Sequence, residues 1–228
     1  MSNIPGISAV IAAAGQSSRM NLKDGGSKQF IEIAGKPVLV RTLEIFNRSP
    51  YISEIIISVR ECDIDRIKET AGRFNKVKSI TGGGLTRLES VAKAVKRVSH
   101  DAAYIAVHDG ARCFITPEDI KKVALRAFET GAASAGCKVT DTIKRADGGV
   151  IAGTIEREHL YAVQTPQIFL KDWYLQALDG FIKSGEINAP DDCYILEKAG
   201  YKVALAECSR YNLKITDSQD LEFFGGVY

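Results

Sequence analysis

Residues Ser8–Ala14 read Ser-Ala-Val-Ile-Ala-Ala-Ala and run directly into Gly15. A continuous apolar run of strand length, with no polar alternation, can bury both of its faces only in a sheet covered on both sides. Further strands are expected at Glu54–Val59, Val77–Thr81 and Tyr104–Val107. Helical patterns lie between these runs. Pro37 can open one, with Val40, Leu43 and Phe46 following at helical spacing. Asp63 can cap another through Phe74, and Leu88, Val91, Val95 and Val98 form the stripe of a third. Thr116-Pro117-Glu118-Asp119 is a strong helix start, with a capping Thr, Pro at the first helical position and acids at the positive end. Strand–helix alternation of this kind predicts an α/β fold: a mostly parallel sheet with helices on both faces.

The rhythm changes after Cys137. Val139–Arg145 and Val150–Ile155 are two β-rich runs joined by Ala146-Asp147-Gly148-Gly149, a hairpin signal. A two-stranded ribbon is only marginally stable alone in water. This arm therefore has to pack on something, either a second subunit or its own domain. Helical patterns return from Lys171 and from Asp191, with a late strand at Lys202–Ala206.

Composition excludes several partners. The 228 residues carry 30 Lys and Arg against 28 Asp and Glu, a formal charge of +2, which gives no field for a nucleic-acid backbone. No segment approaches the ~20 apolar residues needed to cross a bilayer. The N-terminus lacks a basic stretch followed by an apolar one, so no secretory signal is expected. The five cysteines show no C-x-x-C spacing, as expected of free thiols in a reducing cytoplasm.

In an open parallel sheet, ligands bind beyond the carboxyl ends of the strands. The loops expected there are Ala13-Ala14-Gly15-Gln16-Ser17-Ser18-Arg19 with Lys28, then Gly82-Gly83-Gly84-Leu85-Thr86-Arg87, then His108-Asp109-Gly110-Ala111-Arg112. Glycine backbone, several cations and one acid suit a phosphate-rich ligand with a divalent metal. Each feature also has a plainer reading. Gly15 can be a strand-ending turn, Arg19 and Lys28 solvated surface charges, and Arg112 simply the ion partner of Asp109. His108 reads as a hydrogen-bonded structural residue. The first loop fits neither G-x-x-x-x-G-K-[ST] nor G-x-G-x-x-G, so P-loop and dinucleotide-dependent enzymes are disfavoured.

Several motifs, taken in order, resemble one family. They are Ala12-Ala13-Ala14-Gly15 with Arg19-Met20, Lys28-Gln29-Phe30, Gly82-Gly83 with Arg87 and Ser90-Val91, and Val107–Arg112. Asp141–Arg145, Gln164-Thr165-Pro166-Gln167, Asp191-Asp192 with Glu197, and Asn212–Thr216 follow. Over nearly the whole chain this order resembles the 2-C-methyl-D-erythritol 4-phosphate cytidylyltransferases. Ser27 and Cys113 stand where that family has prolines.

The resemblance implies a Rossmann-like three-layer nucleotidyltransferase fold over residues 1–228, with a protruding β-arm at about 138–159 used for dimerisation. It implies transfer of the cytidylyl group of CTP to the polyol phosphate, with release of pyrophosphate, in non-mevalonate isoprenoid precursor synthesis. It implies Arg19 and Lys28 as the catalytic cations and Mg²⁺ on the triphosphate, held by Asp109. Ala13, Ala14, Gly15, Gly83, Arg87, Ser90 and Asp109 are implied for nucleotide binding. A bare Gly83 backbone is expected against cytosine. Asp109, Arg112, Thr142, Arg157, Thr165 and Lys214 are implied for the polyol phosphate, with Thr142 and Arg157 acting from the arm across a homodimer. The sister ribitol-5-phosphate cytidylyltransferases share many of these motifs. A non-catalytic nucleotide-binding protein would keep the glycine loop and lose the cations.

Overall fold

A computed structural model describes residues 4–16, 20, 26–217 and 219–221. The strands are β1 (Ile7–Ala13), β2 (Glu32–Ile33), β3 (Lys36–Pro37), β4 (Ile52–Val59), β5 (Val77–Gly82), β6 (Tyr104–Asp109), β7 (Ala132–Lys138), β8 (Ile143–Asp147), β9 (Val150–Ile155), β10 (Tyr161–Leu170) and β11 (Ala204–Glu207). The helices are α1 (Val38–Arg48), α2 (Ile64–Ala71), α3 (Arg87–Val95), α4 (Pro117–Thr130), α5 (Lys171–Lys183) and α6 (Asp192–Lys198).

Seven strands form the main sheet in the order β11-β7-β10-β6-β1-β4-β5, parallel throughout except for β10. The apolar run at the start of the chain becomes β1 in the interior of this sheet. Ile7, Ala9, Ile11 and Ala13 face a core completed by α1, α2 and α4. Val10 faces the opposite core, completed by α3, α5 and α6. Burial on both faces is why β1 shows no alternation.

The chain moves outward from β1 to β4 and β5, then returns to place β6 on the other side of β1. That reversal opens a crevice at the carboxyl ends of β1 and β6, where Ala12 and Asp109 are register partners.

Helix starts follow their local chemistry. The Thr116 hydroxyl accepts from Asp119 N–H at 3.1 Å, and Pro117 occupies the first turn of α4. Pro37 lies one residue earlier than expected: it precedes α1 as the cap, in extended conformation. The helix expected from Asp63 is shorter than its pattern and ends at Ala71.

Two strands of the main sheet escape sequence reading, as does the short β2–β3 pair. β7 is Ala-Ala-Ser-Ala-Gly-Cys-Lys, poor in β-formers, and its small side chains fit a strand buried between β11 and β10. β10 contains Pro166, which ordinarily argues against a central strand. Here the register with β7 shifts between Val163 and Gln167, so the proline sits outside the ladder.

The arm is the hairpin β8–β9, whose strands pair with each other and not with the main sheet. Its turn is Gly148-Gly149, both at positive φ (53° and 82°), as a two-residue hairpin loop requires. The first strand starts at Ile143, four residues later than expected, and includes Ala146 and Asp147. Val150 and Ile151 remain 71% and 65% exposed, so the arm does not fold back onto its own sheet.

Candidate active site

The carboxyl-end loops enclose a cleft of about 250 Å³. Ala14, Gly15 and Gln16 line it from the β1 side, with Lys28 from the turn that follows. Arg87 and Ser90 come from the start of α3, Asp109 from the end of β6, and Lys214 and Thr216 from the C-terminal segment. That segment has no regular structure, yet it is pinned across the rim. Arg112 Nη1 donates to Asn212 O at 2.8 Å, Ile215 N to Ala111 O at 3.0 Å, and Lys28 Nζ to Ile215 O at 2.9 Å.

Asp109 is the electrostatic centre. Arg87 Nε lies 3.2 Å from its Oδ1, while Lys214 Nζ at 2.9 Å and Arg112 Nε at 3.5 Å face its Oδ2. Burial works against its charge, but Arg87, Lys214 and Arg112 overcome this and hold the carboxyl well below the usual carboxylate range. Arg87 also reaches back, with Nη1 2.7 Å from Asp192 Oδ2. Burial alone would lower its pKa, yet Asp192 and Asp109 together raise it. Among the described residues, Arg87, Arg112 and Lys214 gather on Asp109, with Asp192 behind Arg87, so three cations meet two carboxylates and the cleft suits a polyanion.

His108 is fully buried, and its Nε2 sits 3.2 Å from Arg112 O. A carbonyl only accepts, so Nε2 carries the proton and Nδ1 accepts. The Thr165 hydroxyl donates to that Nδ1 at 3.1 Å and accepts from Asp109 N–H at 3.0 Å. Burial pushes the His108 imidazole down to about 3. It is the structural residue expected, not a ligand. Thr165, expected at the substrate, is buried, and its hydroxyl bonds both His108 and the Asp109 backbone.

The two glycine loops differ. A Cβ at Gly15 would project into open space, so the cleft face there is bare backbone. A Cβ at Gly83 would meet Ala14 Cβ at 2.3 Å and Ser90 Oγ at 2.8 Å. Gly83 is thus required by packing of one loop on the other, before any base arrives. Ser90 is also occupied: it accepts from Gly84 N–H at 2.9 Å and donates to Thr86 O at 2.8 Å. The Ala13 side chain lies in the core, which leaves only its backbone for a ligand.

Thr142 and Arg157 do not line the cleft of their own chain. Both are exposed, and Arg157 Nη1 donates to Thr140 O within the arm base. Arg19 lies outside the described residues. At the two departures from the family pattern, Ser27 Oγ caps the turn by accepting from Gln29 N–H at 3.4 Å, and the Cys113 thiol is buried and pushed up to about 11.

Asp192, Gln167 and Asn212 fall within the family motifs, but their sequence context assigns them no role. Gln167 Oε1 accepts from Asp192 and Cys193 N–H at 2.9 and 3.2 Å. Asn212 Nδ2 donates to Thr165 O at 2.8 Å. The signal available was a buried-strand glutamine and a second acid behind a capping one.

Among the described residues no group of three or more His, Cys, Asp or Glu could hold a metal. A single ionised carboxylate lining the cleft, with one donor on Oδ1, fits Mg²⁺ of the kind that takes most of its ligands from phosphate and water.

The sequence profile of the 2-C-methyl-D-erythritol 4-phosphate cytidylyltransferases matches residues 7–224. The chain is similar to the 2-C-methyl-D-erythritol 4-phosphate cytidylyltransferase of Clostridium acetobutylicum, with 42% identity over 217 residues, 93% of each protein. It is 39% identical to that of Halalkalibacterium halodurans over 222 residues, covering 95% of this chain and 94% of the relative. The crystal structure of a 4-diphosphocytidyl-2C-methyl-D-erythritol synthase from Anaerococcus prevotii superposes with a TM-score of 0.86 at 29% identity, covering 98% of this chain and 96% of that one.

Proposed function

The chain belongs to the 2-C-methyl-D-erythritol 4-phosphate cytidylyltransferase family, and on that premise we propose how its cleft carries out the family reaction. The enzyme transfers the cytidylyl group of CTP to 2-C-methyl-D-erythritol 4-phosphate, a step of isoprenoid precursor synthesis. A phosphate oxygen of the polyol attacks the α-phosphorus of CTP in line. One phosphorus–oxygen bond forms, the α–β bridging bond breaks, and pyrophosphate leaves with the displaced electron pair. Such a transition state needs positioning and positive charge more than covalent help.

The observation that carries this reading is the excess of cations around ionised Asp109 at the switch point of the sheet. Lys28, with Arg19 as the resemblance implies, neutralises phosphoryl oxygens. The bare backbone at Gly15 lets phosphate approach N–H groups closely. Lys214 and Arg112 flank the side of Asp109 where the polyol phosphate would sit. Asp109 would hold Mg²⁺ arriving on the triphosphate, and when bound that ion supplies further charge to the phosphate oxygens.

The exposed apolar residues of the arm favour a homodimer, in which Thr142 and Arg157 would complete the partner's polyol site. No helix among the described residues is long and apolar enough to cross a membrane. Pyrophosphate release from CTP, measured with a panel of polyol phosphates, tests the reading. Turnover with 2-C-methyl-D-erythritol 4-phosphate is expected, and turnover with ribitol 5-phosphate alone would replace it.

A further inference from the structure

Asp192 does not line the cleft, yet it holds one of the residues that do. Its side chain is 1% exposed. Gln167 Oε1 fixes its backbone N–H. The Tyr174 hydroxyl, itself fully buried, donates to Oδ1, and Arg87 Nη1 donates to Oδ2 at 2.7 Å. Arg87 then reaches Asp109 Oδ1 through Nε at the longer distance of 3.2 Å. The guanidinium is therefore anchored at its buried end and presents a second, separate N–H to the cleft.

We propose that Asp192 is a positioning residue for cytidylyl transfer: it clamps Arg87 so that a different N–H of the same rigid guanidinium fixes the Asp109 carboxylate at the floor of the cleft. This assigns Arg87 a bridging role between two carboxylates, in place of the direct contact with nucleotide that the family resemblance implies. The bridge depends on the planar fork of arginine. A lysine carries the same charge but is a single point on a flexible stem, and cannot reproduce two donors in fixed relation. Because Asp192 touches no reacting atom, its loss disorders the arrangement that meets the transition state more than it removes ground-state contacts with CTP.

The inference rests on the proposed cytidylyl transfer, and the experiment separates the two. Steady-state turnover is measured for the wild type, Asp192→Asn, Arg87→Lys and the double variant, with melting temperatures alongside. The expectation is that each single substitution lowers kcat by about tenfold or more while KM for CTP stays within about threefold. The double variant falls no further than the worse single, since both break one bridge. Losses that multiply in the double variant, or Arg87→Lys at wild-type kcat, would overturn the proposal. If Asp192→Asn does not fold, Arg87→Lys decides alone. A wild type inactive with every polyol phosphate defeats the functional reading itself, whereas an active wild type with an equally active Asp192→Asn variant defeats only the clamp.

Discussion

The Thr165 hydroxyl donates to His108 Nδ1 at 3.1 Å, and both residues are buried beneath the cleft. The same oxygen accepts from Asp109 N–H, so one hydroxyl sets the imidazole and the end of β6 together. Thr165→Val leaves a buried ring nitrogen and a buried amide without partners. The expected cost is about 2–6 kcal/mol of stability, from ~1–3 for each of the two orphaned groups. Thr165→Ser keeps the hydroxyl and most of the stability. Urea unfolding of the three proteins checks this, and a valine variant as stable as the serine one would refute it.

The neutral state of His108 makes stability depend on pH. Its folded pKa is depressed to about 3, while the unfolded imidazole titrates near ~6.5. Between these values the unfolded chain binds a proton that the folded chain does not, so stability falls as pH falls through that window, by ~1.4 kcal/mol per pH unit at most. Asp109 acts in the same direction at lower pH, because its folded pKa is also depressed. The ordinary carboxylate range, ~3.9, marks where its contribution starts to be lost. Unfolding free energies at pH 4.5, 5.5 and 6.5 should show the slope, and His108→Gln should flatten it by close to one proton.

Lys28 lines the cleft with Nζ 2.9 Å from Ile215 O. Lys28→Ala is expected to lower kcat by at least ~10²-fold, the scale of losing one electrostatic stabiliser. An unchanged kcat in a folded variant would remove Lys28 from the reaction.

Gly83→Ala forces a methyl against Ala14 Cβ and Ser90 Oγ, so the two loops must part. Overpacking of this kind costs ~1–3 kcal/mol. Since Ala14 and Ser90 line the cleft, the Kd for CTP should rise by about tenfold, equivalent to ~1.4 kcal/mol. Calorimetric titration with CTP measures it directly.

If the arm completes a partner's site, Arg157→Ala should weaken the polyol phosphate more than CTP. Sedimentation of the wild type should give a dimer at micromolar concentration. Ile151→Arg, placed on the exposed apolar face of β9, should shift it toward monomer. A wild-type monomer, or an Arg157 defect confined to CTP, would contradict the cross-subunit role.

Much of this was legible from local pattern. Apolar runs, helix caps and the glycine–glycine turn act within a few residues of themselves, so β1, β4, β6, α4 and the hairpin could be read directly. The Asp109 loop was legible as well, because a charged residue directly after a buried strand must meet a partner. By contrast, β7 and β10 looked wrong for strands. Alanine and proline are poor β-formers in general, but here a shifted register and close neighbours accommodate them.

The sequence by itself determined a doubly covered parallel sheet, loops rich in glycine and charge at its carboxyl edge, and an arm too polar and too short to stand alone. Only the tertiary structure decided which charges meet. Arg87 and Asp192 are 105 residues apart in the chain, and Thr165 and His108 are 57 apart. Such pairings depend on strand order and on where each loop crosses the rim, which no local propensity encodes. Burial then sets their strength: low solvent access makes the Arg87 bridge specific and keeps His108 neutral, and neither property belongs to the residues before the chain has folded.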